Sequence, residues 1–193
     1  MVSLPQIKQW LSVQDTYTLH RPVRRKFRRR RVVVGGIDHQ WQADLVDVSR
    51  IKQHNRGYTF LLTCIDVLSK YAWVVPIKNK TSASLVQAFK TILRSGRKCL
   101  RLQTDKGLKF TNRPMQQLLK DHQIEFFTTE NEDIKASIVE RFNRTLQAKM
   151  WKYFTRHNTL KYVDVLPRLV DSYNHSYHRS IKTQPALVGP HNQ

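Results

Sequence analysis

Acidic residues are scarce in this 193-residue chain: 14 Asp and Glu stand against 34 Lys and Arg, a formal net charge of +20. Only two cysteines occur, Cys64 and Cys99, each inside an apolar run that reads as a strand. With no Cys-x-x-Cys pair, a disulfide framework and a thiolate zinc site are both excluded, and the two read as reduced core thiols. Eight histidines bring no zinc spacing either; His175 and His178 have no cysteine partner within reach. No apolar run approaches the roughly 18 residues of a membrane span, and the first residues lack a charged region leading into a long apolar stretch. Neither a membrane anchor nor a secretory signal is expected. Internal repeats are absent, and so is low complexity outside one basic run.

What is present is a chain of 40% apolar and 10% aromatic residues, enough to bury a core in one domain. The charge excess attracts polyanions, nucleic acid first among them. It is uneven: residues 1–31 carry a net +8, and the remainder +12. Leu4, Ile7, Trp10 and Leu11 recur at helical spacing, and RPVRRKFRRRR follows, with eight basic residues from Arg21 to Arg31. The division expected is therefore a short helix plus a basic arm over 1–31 and a catalytic-size core over 32–193. Within the arm Arg24, Arg25, Arg28, Arg29 and Arg30 are candidates for DNA phosphates, the same run also serving as a nuclear import signal or as a solvated linker.

From Trp41 the texture changes to three β-branched and aromatic runs, WQADLVDVS, YTFLLTCIDV and YAWVVPI, joined by SRIKQHNRG and by the short link LSK. These predict three successive antiparallel strands. Leu85, Val86, Phe89, Ile92 and Leu93 then recur at helical steps behind the caps Thr81 and Ser82. CLRLQT predicts a buried strand, 115–122 a helix entered through Asn112 and Pro114, and IEFFTT a fifth strand. A long helix from 136 to about 154 has Val139, Phe142, Leu146 and Met150 on its apolar stripe, and a last helix is expected over about 161–177, with Pro167 early in it. The order βββαβαβαα implies an α/β fold, a five-stranded mixed sheet with helices on both faces.

Three acids fall on three of these elements. Asp44 lies inside the first strand, Asp105 follows the fourth in QTDKG, where Gly107 supports a sharp turn, and Glu140 sits one turn into the long helix. Taken singly, each has an ordinary structural reading: a hydrogen-bonded strand acid, a turn residue and a solvated helix residue. Together they suit a hard cation such as Mg²⁺ or Mn²⁺, which takes oxygen ligands and leaves room for water and phosphate. Two such ions about 3.5–4 Å apart activate the attacking oxygen and stabilise the leaving one in an in-line displacement at phosphorus. Asp47 points to the opposite strand face and Asp66 stands at a strand end, so neither is assigned to the triad. Trp41, Trp73, Trp151 and His122 read as packing residues.

WQADLVDV, TDKGLKF and KASIVERFNRTL resemble the three blocks around the Asp, Asp, Glu triad of the retroviral integrase superfamily, whose core is ribonuclease H-like. The resemblance covers about residues 41–185. TLHRPVRRKF, ERFNRTLQ and LVDSYNHSYHRSI are most similar to integrases of Maverick/Polinton-type DNA transposons and to transposon-derived host proteins. What the resemblance implies is that Asp44, Asp105 and Glu140 are the catalytic residues and hold two Mg²⁺ or Mn²⁺ ions, Asp44 bridging. Asn143 and Arg144 would face DNA, and helical geometry puts Gln147 on their side. Lys106 and Lys135, next to the acids in sequence, are further phosphate candidates. The activity implied is metal-dependent polynucleotidyl transfer, trimming and joining DNA 3′ ends, in a nuclear protein that forms homo-oligomers.

Departures from the family pattern are three. The 34 residues between Asp105 and Glu140 are one fewer than the usual retroviral spacing, and Lys109 stands where many relatives have an acid. No His-His-Cys-Cys module precedes the core and no chromodomain-like or SH3-like segment follows it in this sequence. These features keep a second reading open, a catalytically impaired transposon-derived protein that binds DNA. A third, cleavage of RNA–DNA hybrids, would use the same fold.

Overall fold

The computed structural model describes residues 3–19, 32–105, 110–128, 136–189 and 191. The arm arginines, Lys106, Lys109 and Lys135 lie outside the described residues, as does Gly107. Helix α1 (Leu4–Ser12) and a short α2 (Asp15–Thr18) open the chain. The strands are β1 (Gln40–Asp47), β2 (Phe60–Asp66), β3 (Ala72–Ile77), β4 (Arg101–Thr104) and β5 (Glu125–Thr128). Helix α3 (Ser82–Leu93) links β3 to β4, and α4 (Arg113–Asp121) links β4 to β5. Helices α5 (Ser137–His157) and α6 (Leu166–Asn174) complete the βββαβαβαα order.

The five strands form one mixed sheet, ordered β3-β2-β1-β4-β5. The meander β3-β2-β1 is antiparallel, whereas β1-β4 and β4-β5 are parallel. Parallel neighbours need a covered crossover, and α3 and α4 supply it. Trp41, Ala43 and Leu45 of β1, with Leu62 and Leu102, meet Leu85, Phe89 and Ile92 of α3 and Met115 and Leu119 of α4. Residues of opposite parity turn the other way: Val46, Leu61 and Ile65 pack on Val139, Phe142 and Leu146 of α5 and on Leu166 and Tyr173 of α6. The strand period of two thus separates the two cores.

Local signals set several boundaries. Thr81 accepts from the Ser84 N–H and Asn112 from the Met115 N–H, capping α3 and α4 where the sequence places their starts. Three expectations change. Cys99 lies just ahead of β4 rather than within it, although both thiols are free and buried; burial pushes Cys99 up to about 12 and holds Cys64 well above its ordinary value. The last helix is shorter than its apolar pattern, because Pro167 occupies its first turn. Residues ahead of it are captured by Asn55: the Tyr162 and Val163 N–H groups donate to Asn55 Oδ1 at 2.6 and 3.2 Å, and Asn55 Nδ2 donates to the Ile51 and Leu160 carbonyls. Finally, α2 follows α1 and lies against the outer side of α5, where Lys152 sits 6.0 Å from the Tyr17 ring centre.

Edge strand β3 is closed at its start by a side chain. Asn174 at the end of α6 donates to the Ala72 carbonyl at 3.0 Å and accepts from the Ala72 N–H at 2.9 Å, standing in for a neighbouring strand. Among the described residues no helix is long and apolar enough to cross a membrane.

Candidate metal and DNA site

On β1 the residues that turn away from Trp41, Ala43 and Leu45 are Gln40, Gln42 and Asp44. The glutamines are buried and bonded: Gln40 Nε2 and Gln42 Nε2 donate to Gln103 Oε1 of β4 at 2.7 and 2.8 Å. Gln42 Oε1 accepts from the Ile138 and Val139 N–H groups at the start of α5, at 3.0 Å each. One turn further along α5, Asn143 Nδ2 donates to Asp44 Oδ2 at 2.8 Å. Asp44 Oδ1 accepts from the Leu45 N–H at 2.7 Å. Helix α5 is therefore pinned to the strand at two points one turn apart, and the second is a triad acid.

Asp105 is the first residue beyond β4. The parallel register pairs Gln40 with Arg101, Trp41 with Leu102 and Gln42 with Gln103; continued two residues, it sets Asp105 beside Asp44. Side chains of matching parity share a face, and Gln42 and Gln103 meet on the α5 face, so the register places both acids there. Asp105 is exposed and Asp44 half-buried. Glu140 occupies the first turn of α5 and is exposed. The helix-start amides carry positive partial charge, which favours a carboxylate there.

All three acids thus come from adjoining elements: Asp44 inside β1, Asp105 just past the carboxyl end of β4, and Glu140 in the first turn of α5. Among the described residues no three His, Cys, Asp or Glu side chains approach closely enough to form a ready metal cage. The side chains nonetheless fit a hard cation. The donors are all oxygen, and Asn143 Oδ1, in a residue only 7% exposed, has no hydrogen-bond partner among the described residues although it adjoins Asp44. Arg144 and Gln147 are exposed on α5, whereas Asn143 is buried. The helix face expected to meet DNA is therefore split, with Asn143 turned inward onto Asp44.

The acids set aside from the triad have other work. Asp47 accepts from the Ser49 N–H at 2.8 Å, and its hydrogen bonds with Ser49 hold its carboxyl below the usual range. Asp66 lies opposite Trp41, at the far end of the sheet from the carboxyl end of β1. It is fully buried and accepts from the Ser69 and Asp38 N–H groups, and Arg97 approaches to 3.4 Å. Burial raises its pKa against the opposing pull of Ser69 and Arg97. Trp41 and Trp73 stack at 4.4 Å between ring centres, and Trp41 Nε1 donates to Asp38, in keeping with packing roles.

Gln42, Gln103 and Gln40 were not singled out from sequence. The available signal was parity: Gln40 and Gln42 alternate with buried Trp41 and Ala43 ahead of Asp44, and Gln103 stands two residues before Asp105, so each shares the face of the acid it precedes.

A mixed five-stranded sheet with acids inside β1, just past β4 and at the start of the long helix α5 defines the ribonuclease H-like class. A family model described as integrase core domain matches residues 37–133, half of the chain, including Asp44 and Asp105. The chain belongs to the integrase core domain family. A transposon-derived protein of Caenorhabditis elegans is 36% identical over 142 residues, 73% of this chain and 49% of the relative. Ty1 Gag-Pol polyproteins of Saccharomyces cerevisiae are 30% identical over 98 residues, 48% of this chain and 6% of theirs. The chain thus spans about half the length of the first relative and a small part of the polyproteins. Among solved structures, the HTLV-2 integrase catalytic core domain in complex with magnesium, in its trimeric form, superposes with a TM-score of 0.66 at 21% identity, covering 78% of this chain and 95% of that one. A chain of the simian T-cell lymphotropic virus intasome in complex with PP2A regulatory subunit B56 gamma gives 0.72 at 16% identity, covering 96% of this chain and 66% of that one. At these identities the likeness is one of fold.

Proposed function

We propose that this chain is a metal-dependent polynucleotidyl transferase of transposon origin, of the Maverick/Polinton kind, that trims DNA 3′ ends and joins them to target DNA. The observation that carries this reading is the anchoring of Asp44 by Asn143, with Asp105 in register beside it and Glu140 one turn earlier on the same helix. Asp44, Asp105 and Glu140 would hold two Mg²⁺ or Mn²⁺ ions. Bound there, the ions supply a polarised nucleophile and charge neutralisation at the scissile phosphate. Asn143 fixes the orientation of Asp44 through Nδ2, while its Oδ1 is buried without a hydrogen-bond partner among the described residues. Arg144 and Gln147 take phosphates on the exposed side of α5, and Lys106, Lys135, Arg24, Arg25, Arg28, Arg29 and Arg30 are further phosphate ligands. The same arm directs the protein to the nucleus, and the active form is a homo-oligomer, as the trimeric, dimeric and intasome assemblies of the structural relatives suggest.

Incubating the full chain with labelled duplex ends and Mg²⁺ or Mn²⁺ should yield trimmed and joined products that disappear in Asp105→Asn. Equal product from the mutant sinks the proposal. A second reading, DNA binding without catalysis, rests on Lys109, a cation in the TDKGLKF block beside Asp105. It expects salt-sensitive duplex binding with no product under any divalent metal.

A further inference from the structure

We infer that Gln42 and Gln103 are positioning residues of the carboxylate site, forming one buried amide relay that ties together the three elements carrying the three acids. The inference rests on the ligand set proposed above. Its support is a repeated offset. Gln42 stands two residues before Asp44 and Gln103 two before Asp105, and the amides held by Gln42, those of Ile138 and Val139, immediately precede Glu140.

Each contact is short and enclosed. Gln42 is fully buried and Gln103 is 3% exposed. Gln103 Oε1 takes an N–H from Gln42 at 2.8 Å and another from Gln40 at 2.7 Å. Gln42 Oε1 takes both helix amides at 3.0 Å. A buried primary amide is costly unless it is hydrogen-bonded, and Gln42 Nε2, Gln42 Oε1 and Gln103 Oε1 are all bonded to groups next to the acids in sequence or in the sheet.

The helix end needs an outside cap. The residue before α5 is Ala136, which has no side chain able to accept, and no side-chain cap is made locally. Gln42 therefore fixes both where α5 starts and how far Glu140 stands from β1. Through Gln103 the same amide fixes β4 against β1 just before Asp105 leaves the sheet. Because the Gln42 amide joins β1 to α5 through its oxygen and to β4 through its nitrogen, a displacement of any one element is transmitted to the others. Residues that orient metal ligands in this way typically change metal affinity by about 10- to 100-fold when removed.

The test is Mn²⁺ binding to the full chain by titration calorimetry, alongside amide hydrogen exchange without metal and urea unfolding. Gln42→Met keeps length and apolar volume but removes both bonding functions. It should weaken Mn²⁺ about 10- to 100-fold and speed exchange at Ile138 and Val139 while leaving the β2 amides protected. Gln103→Met, which leaves the helix cap in place, should weaken Mn²⁺ several-fold without faster exchange at those amides. Unchanged Mn²⁺ affinity in Gln42→Met overturns the inference, as does a loss of fold stability with affinity intact. If Gln42→Met does not fold, unchanged affinity in Gln103→Met overturns it. Wild-type protein that binds Mn²⁺ yet joins no ends removes the transferase reading and leaves this one standing. Wild-type protein that takes up no Mn²⁺ removes both.

Discussion

Replacing Asn143 by leucine separates a positioning role from a packing role. Asn143 is 7% exposed, donates to the Asp44 carboxylate at 2.8 Å, and leaves Oδ1 without a partner among the described residues. A hydrogen bond to a charged acceptor contributes about 1.5–3 kcal/mol, and a buried unpaired acceptor costs about 1–3 kcal/mol. Asn143→Leu removes both at similar volume, so the two effects offset and urea unfolding should shift by less than about 1.5 kcal/mol. Orientation of Asp44 has no such compensation. Losing about 1.5–3 kcal/mol of it at the reaction step corresponds to a rate lower by roughly 10- to 150-fold, at 1.36 kcal/mol per factor of ten. Single-turnover joining of labelled duplex ends at saturating Mg²⁺ reads this. Asn143→Asp, which sets a second carboxylate against Asp44, should be destabilised as well as inactive, because like charges at hydrogen-bond distance repel. A leucine variant that joins ends at the wild-type rate refutes the argument, and so does one that loses 3 kcal/mol or more of stability on the scale of a packing defect.

Asn55→Ala strips four hydrogen bonds from a fully buried amide; unfolding free energy should fall by about 3–5 kcal/mol, the sum of one stranded buried N–H and three partly accessible groups. Asn174→Ala leaves both backbone groups of buried Ala72 unpaired, and urea unfolding should show a loss of about 2–5 kcal/mol. Burial first, then Lys70 and Arg141, lowers the His178 pKa below its ordinary 6.5. The unfolded chain then binds the extra proton, so this contribution is present above about pH 6.5 and is lost as the pH falls through that value; a stability-against-pH curve for His178→Gln should be flatter there than for wild type. Arg144→Ala should reduce the slope of log affinity for duplex DNA against log salt by about 0.9, the value of one phosphate contact.

What sequence could and could not reveal divides along the range of the interactions. Thr81 and Asn112 cap helices that begin next to them, so α3 and α4 were legible at their starts. Alternation along WQADLVDV showed which face of β1 is apolar, and it separated Asp44 from Asp47. The start of α5 offered no such mark, because its cap comes from Gln42, 96 and 97 positions earlier. The segment ahead of α6 was read as helix for the same reason: its apolar pattern continues, but Asn55, 107 and 108 positions away, draws off the Tyr162 and Val163 amides. Cys99 looked like strand because apolar neighbours do not say where a ladder begins.

Buried polar side chains divide into two groups. Asn55, Asp66 and Asn174 are buried and bonded to the protein itself, and each lies away from the triad. Such groups are structural, their bonding spent on loops and strand ends. Around Asp44 the pattern differs, since Gln40, Gln42, Gln103 and Asn143 gather where the parallel strands β1 and β4 meet α5, and apolar residues would pack there at lower cost. Three buried side-chain polar atoms lack a partner among the described residues, Arg101 Nε, Tyr162 Oη and Asn143 Oδ1. Only the last belongs to a side chain bonded to a triad acid. Violations of local packing economy concentrate at functional sites, and here the violation and the acids coincide.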